Sequence, residues 1–307
     1  VTGQLVELAE RVWAWVQPDG TWWVNNTGVI GGGEPADGTV LVDTCATEQR
    51  TRNLLDAVAA ATGGTPVRCA VNTHAHGDHT YGNSLLAPET AIIGHERTRD
   101  ALASDPIIDG CPPFWAPLPD WGGVTRRLPS VTVASELTVY TGDRRVEVRH
   151  PGHPAHTPGD LIAWLPDERV LFAGDLVFHG LTPLVLMGSI EGAMRALDWL
   201  AAFEPAVLVP GHGPVLPAAE LPEVFAKIER YLRLVGDAAR AGKAAGIGPL
   251  EAARATDLGE FAEWPDGERL VANLHRAYAD LDGGEPDLVA ALTDAMTYNE
   301  GPMHTAV

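Results

Sequence analysis

The segment Asn72-Thr73-His74-Ala75-His76-Gly77-Asp78-His79 holds four metal-binding groups within six positions, in a chain with only 11 histidines among 307 residues. Imidazole and carboxylate donors without a thiolate make a set for zinc, and also for iron or manganese. Just upstream, Val67-Arg68-Cys69-Ala70-Val71 is apolar and β-branched and follows Gly63-Gly64-Thr65-Pro66, so it reads as a short buried strand. The donors therefore begin where a strand ends, on a loop that a sheet holds still. In an extended segment His74 and His76 face the same side and reach one ion. Gly77 then permits a turn that aims Asp78 and His79 at a second ion close by. A surface loop that is merely rich in histidine is the alternative reading.

His-x-His-x-Asp-His behind a strand resembles the first motif of the metallo-β-lactamase superfamily. Three later segments resemble its other ligand motifs, in the same order. They are Gly152 to Asp160 with His156, Phe172-Ala173-Gly174-Asp175, and Val209-Pro210-Gly211-His212-Gly213. The resemblance runs from about residue 20 to 215 and implies a four-layer αββα sandwich. It assigns His74, His76 and His156 to one ion, Asp78, His79 and His212 to another, and makes Asp175 the bridge. His153 competes with His156 for its role, and the Ala-His-Thr pattern of the resembled family favours His156. The family also implies that Asp43 sits behind the metals and orients a ligand histidine; by itself it reads as a turn or helix-leading acid as well.

Two Zn2+ ions in such a set would acidify a shared water, giving a metal-bound hydroxide held by Asp175, with Asp78 as a catalytic carboxylate. One ion would polarise a carbonyl, and a thiolate leaves without a protein acid, so thioesters suit the site. Asp175 disfavours the β-lactamase branches of the superfamily, and His76 disfavours oxygen-reducing di-iron chemistry.

A narrower resemblance is carried by Asn72 to Asn83, Ala155-His156-Thr157, Phe172 to Asp175, Gly180-Leu181-Thr182-Pro183 with Gly188-Ser189, and Leu270 to Ala277. These look like the cyclase/thioesterase of actinorhodin-type aromatic polyketide biosynthesis. The implied substrate is a poly-ketone on an acyl carrier protein, closed into a ring by aldol condensation and then released by thioester hydrolysis. Arg126-Arg127 and Arg144-Arg145 are the basic pairs expected to receive an acidic carrier. A general thioesterase or lactonase of glyoxalase II type is the competing expectation, and a non-enzymatic scaffold would be expected to have lost ligands.

The surrounding chain must position these groups. Short strands are expected before Pro18-Asp19-Gly20, then Trp22 to Ile30 as a continuing meander, Val40 to Asp43 as a strand, and a helix ending at Gly63-Gly64. Ser104 to Ser130 is irregular and proline-rich, yet carries Phe114, Trp115 and Trp121. It reads as a wall or lid over the metals, or as a loop packed on the core or on a second subunit. His179 and His275 are candidate pocket residues, although each is more ordinarily a core or surface histidine. After a second meander, a hairpin and a helix from Ser189 to Phe203, the chain from Ala218 onward is helical. Residues 1–216 are thus expected to form the metal-dependent hydrolase domain, and 217–307 a helical extension packed on it or on a partner in a homodimer.

Net charge is −20 with only two lysines, Lys227 and Lys243, so the surface repels phosphate and excludes nucleic-acid partners. No apolar run approaches membrane-spanning length. Cys45, Cys69 and Cys111 lack paired spacing, and with no basic-then-apolar leader this points to a reduced, cytoplasmic setting.

Overall fold

The computed structural model describes residues 3–17 and 21–307, so the expected turn at Pro18-Asp19-Gly20 lies outside the described residues. Strands β1 (Gln4–Ala9), β2 (Val12–Val16), β3 (Thr27–Gly31) and β4 (Thr39–Val42) lead to helix α1 (Glu48–Thr62) and β5 (Val67–Val71). The histidine turn is α2 (Gly77–Thr80), followed by β6 (Ala91–His95), α3 (Glu96–Ser104), β7 (Trp115–Ala116) and β8 (Val131–Val133). The second half runs β9 (Glu136–Thr141), β10 (Arg144–Arg149), β11 (Ile162–Leu165), β12 (Val170–Phe178), α4 (Ile190–Ala201), β13 (Val207–His212) and β14 (Leu216–Pro217). Helices α5 (Leu221–Ala245), α6 (Pro249–Ala255), α7 (Arg269–Asp282) and α8 (Leu288–Tyr298) follow, and a short strand β15 (Met303–His304) pairs with β7.

One sheet has the order β1-β2-β3-β4-β5-β6-β8 and the other β14-β13-β12-β11-β10-β9. Alternation along the strands explains why they stack. Ile30, Val40, Val42 and Val71 share an inner core with Val148, Ala163, Leu165, Val170 and Phe172 of the other sheet. Their neighbours Val29, Leu41 and Ala70 turn outward onto Leu54 and Val58 of α1. On the far side Ile162, Trp164 and Leu171 meet Leu197 and Leu200 of α4 and the helices beyond. The result is the four-layer αββα sandwich with a helical C-terminal region packed on its outer helix layer.

Helix ends follow local chemistry. The Thr47 hydroxyl caps α1 by accepting from the Arg50 N–H, and Gly63 closes it in the left-handed region. Ser189 caps α4 in the same way, as its sequence implied.

One expectation is corrected here. Trp22-Trp23 does not continue the meander, because Trp23 sits at φ 69° and breaks the extended run. The arginine pairs are largely occupied within the chain. Arg127 donates to the carbonyls of Asn83, Leu86, Ala87, Pro88 and Thr90, and Arg126 to those of Leu102 and Asp105 and to Asp109. Arg144 binds Glu168 and the Gly31 and Glu10 carbonyls, while Arg145 lies 3.5 Å from Glu147. These guanidiniums tie loops to the sandwich, and the Arg126 and Arg145 side chains stay partly exposed. Among the described residues, no helix is long and apolar enough to cross a membrane.

Candidate metal centre

All seven expected donors meet at one end of the sandwich, where the loops after β4, β5 and β10, the strand β12 and the end of β13 converge. His74, His76, His156 and Asp175 form one group and Asp78, His79 and His212 another, each with its donor atoms within 4.8 Å of one another. Asp175 spans them. Its Oδ1 lies 3.1 Å from His79 Nε2, and its Oδ2 lies 3.2 Å from His212 Nε2, 3.4 Å from His156 Nε2 and 3.8 Å from His74 Nε2. Asp78 Oδ2 is 3.4 Å from His212 Nε2 and 3.6 Å from His79 Nε2. Gly211 makes this possible, since a Cβ there would come within 1.9 Å of Asp175 Oδ1. The His74–His76 stretch bends instead of running extended, but both rings still face His156, at 4.6 and 4.7 Å between centroids.

Each ring is held by its other nitrogen. His79 Nδ1 donates to Asp43 Oδ2 over 2.8 Å, His156 Nδ1 to the Leu184 carbonyl over 2.7 Å, and His212 Nδ1 to the Val24 carbonyl over 2.9 Å. The Thr73 hydroxyl donates to Asp43 over 2.7 Å and so accepts from His74 Nδ1 at 3.1 Å. His76 is turned the other way, with Nε2 on Met187 Sδ at 3.3 Å and Nδ1 3.0 Å from His156 Nε2. These partners orient the rings so that one nitrogen of each of the five points into one small volume.

The electrostatics agree with a cation site. Burial holds His74 well below the ordinary imidazole range, His76 down at about 4 and His156 at about 3, so these rings are neutral donors. Burial also opposes charge on His79, yet Asp175, Asp78 and Asp43 together raise it well above the usual value. Against its own burial, Asp175 is held well below the carboxylate range by His212, His79, His74 and His156. The carboxylates thus draw positive charge into the centre, and His79 Nε2, His74 Nε2 and Asp175 Oδ1 are buried without a hydrogen-bond partner. Orphaned, pre-aimed imidazole and carboxylate atoms are what divalent transition-metal ions require, so the residues present fit them.

Asp43 takes the orienting role. It is buried at φ 66°, accepts from the Thr73 N–H and hydroxyl, and fixes His79. Asp43→Asn keeps the shape but removes the charge behind His79. We expect a loss of about 10–100-fold in metal affinity or turnover, read by competition with a chelator and by kcat. Asp160 escaped the sequence reading as a site residue. Its carboxyl accepts from the N–H groups of His156 and Thr157 and from the Thr157 hydroxyl, holding the His156 turn, and burial pushes it up to about 7. The local signal was an Asp four residues after the ligand, near enough for its carboxylate to reach back to the backbone of that turn.

The centre forms the floor of a cavity of about 680 Å3. Its walls are Trp22, Trp23, Tyr81, Phe114 and Trp115 on one side, and Leu186, Met187, Leu288, Val289 and Leu292 on the other. Phe114 and Trp115 stand where the irregular loop was expected to place them. Three expected pocket residues do not line this cavity. Trp121 packs behind the wall, 4.8 Å from the Trp23 ring, with Nε1 on the Ile107 carbonyl. His179 turns to the Pro214 carbonyl, and His275 of α7 binds Asp294 of α8 at 2.9 Å. His153 points away from the donors to the Pro154 carbonyl. Arg269 went unnoticed one residue before the Leu270 stretch. It is buried in the cavity wall, its guanidinium 4.6 Å from the Trp22 ring and 3.0 Å from Asp266.

Comparison with known proteins places this architecture. The chain is 30% identical over 226 residues to a hydroxyacylglutathione hydrolase of Anaeromyxobacter dehalogenans, covering 70% of each chain. It is 30% identical over 213 residues to the 2,4-dinitroanisole O-demethylase subunit alpha of a Nocardioides species, covering 67% of this chain and 58% of the relative. A stereoselective inverting sec-alkylsulfatase from a Pseudomonas species shares the fold with a TM-score of 0.68 at 18% identity, over 94% of this chain and 51% of that one. The chain spans about half the length of several curated relatives it matches. The model of the metallo-beta-lactamase superfamily matches residues 20–212, which takes in all seven converging donors, and the chain belongs to that superfamily.

Proposed function

We propose that this protein is a metal-dependent hydrolase that cleaves the thioester of a large, flat, apolar acyl group. In the particular form we favour, the substrate is an aromatic poly-ketone on an acyl carrier protein, closed into its next ring before release. The observation behind this reading is a seven-donor centre at the floor of an aromatic-walled cavity. His74, His76 and His156 would hold one ion and Asp78, His79 and His212 the other, with Asp175 between them; zinc is the default and iron or manganese are alternatives. When bound, such ions supply Lewis acidity toward a carbonyl and lower the pKa of a water.

The chain's own residues do the rest. Asp78 lines the cavity beside His212 and is the carboxylate placed to hold the proton of an attacking water. Trp22, Trp23, Phe114 and Trp115 exclude solvent and offer flat faces on which a ring system stacks. A thiolate departs without a protein acid, whereas an alkoxide would need one, and the Tyr81 hydroxyl in the wall is already donated to Asp105.

The relative from Anaeromyxobacter dehalogenans favours a second reading, a hydrolase of small hydroxyacyl-glutathione thioesters. Purified protein offered a naphthoyl thioester and a hydroxyacyl-glutathione thioester separates the two. Burial of a ring system against the aromatic wall is expected to favour the naphthoyl compound by about 100-fold in kcat/KM. Preference for the glutathione thioester would remove the large-acyl reading, and formation of a new ring from a carrier-bound poly-ketone would establish the narrower one.

A further inference from the structure

We infer that the first turn of α8 is a specificity rim: Leu288, Val289 and Leu292 receive the far, uncharged end of the acyl group whose reactive carbonyl lies at the metal centre. This inference rests on the hydrolase reading above. Val289 is 66% exposed and Leu288 40% exposed, among the few large apolar side chains left in solvent. All three residues nevertheless line the same cavity as His76, Asp78 and Asp175.

Their outward position is fixed. The Asp287 carboxylate caps α8 by accepting from the N–H groups of Val289 and Ala290, each at 3.0 Å. Ala291 and Ala295, which continue the Leu288 stripe along the helix, are fully buried, and the His275–Asp294 pair locks α8 to α7. The helix therefore cannot rotate to hide the rim without losing its cap, its packing and this pair. Exposed apolar atoms at the edge of a cavity lose water when a ligand covers them, which gives binding free energy.

The chemistry of the occupant follows from the lining. The charged or titratable groups are His76, Asp78, Asp175, His212 and Arg269 near the floor, and Asp105, which accepts from Tyr81. Among the described residues Arg269 is the one lysine or arginine that lines the cavity, and the aliphatic turn of α8 shares the lining with Pro106, Ile107 and Pro112. An anionic tail would meet no partner there, within a chain of net charge −20. The rim accordingly selects an apolar, uncharged ring system or chain long enough to reach from the centre to α8.

The test uses the metal-loaded wild type and Val289→Asp, with naphthoyl and acetyl thioesters of N-acetylcysteamine and with anilinonaphthalene as a fluorescent binding probe. In V289D the naphthoyl-to-acetyl ratio of kcat/KM is expected to fall about tenfold, mainly through KM, and probe affinity by about as much. Bound metal and the urea midpoint serve as folding controls, and Leu288→Gln is the second variant should V289D fail them. An unchanged ratio with unchanged probe affinity would overturn the rim. Wild-type protein that hydrolyses neither thioester, yet binds the probe more tightly than V289D, would sink the hydrolase reading and keep the rim. A wild-type dimer that V289D splits without moving the ratio or probe affinity would show that the turn is a subunit interface and overturn the inference.

Discussion

Asp175→Asn is expected to fold, to hold far less metal, and to turn over on the order of 10³-fold more slowly, a transition-state loss of about 4 kcal/mol. Asp175 touches both halves of the centre, with Oδ1 toward His79 and Oδ2 toward His212, His156 and His74. Its charge also accounts for much of the positive charge on His79, which rises well above the imidazole range despite burial. An amide of the same size keeps the packing against Gly211 but presents a weaker donor on one arm and N–H groups on the other. The checks are metal content of the purified variant by elemental analysis, kcat on the preferred thioester, and circular dichroism to show that the sandwich is intact. A variant with a full metal complement and near-wild-type kcat would refute the bridging role.

That carboxylate was legible in the sequence because each ligand motif is local. His74 to His79 follow a strand, Asp175 lies in β12 and His212 ends β13, and it was the resemblance of these segments, in this order, to the superfamily's motifs that implied their meeting. The orienting role of Asp43 came from the same logic, and the structure adds the hydrogen bond to His79. The cavity was harder to read, since its walls come from segments near residues 22, 114, 186 and 288. Nothing local separates Trp115, which faces the cavity, from Trp121, which lies six residues on and packs behind Trp23. That choice is made by the pairing of β7 with β15, almost 190 residues away. The internal partners of the arginine pairs were hidden for a related reason. A charged pair in a proline-rich stretch reads as exposed, whereas Arg127 donates to five carbonyls of irregular backbone, of which those of Asn83 and Ala87 also accept from backbone N–H groups. Where a polar group finds its partner depends on tertiary structure, and sequence spacing reveals it only for near neighbours.

The pH response of the metal-free protein tests the centre without any substrate. Unfolded imidazole titrates at 6.5, whereas burial holds folded His76 at about 4, His156 at about 3 and His74 well below its ordinary value. Between those values the unfolded chain binds more protons, so stability must fall as pH falls through this window. Asp160, raised from 3.8 to about 7 by burial, works with the opposite sign, because its folded form takes up the proton first. Asp43, raised in direction by burial, adds to that opposition. His79 is raised, so its contribution is already complete below 6.5 and is lost only as pH climbs through its folded value. Asp175 is depressed, so its contribution survives until pH falls through its folded value, beneath the window. The three rings, joined by His150, which burial also lowers, act against Asp160, Asp43 and Glu268, which burial raises, and we expect chelated protein to lose stability between pH 6.5 and 4, measured by urea unfolding. Added zinc at neutral pH is expected to raise the urea midpoint, since ions that bind only the folded centre stabilise it. A flat or rising profile on acidification would mean that the rings are not buried, neutral and aimed at one another, and the reading of this cluster as a metal centre would fall with them.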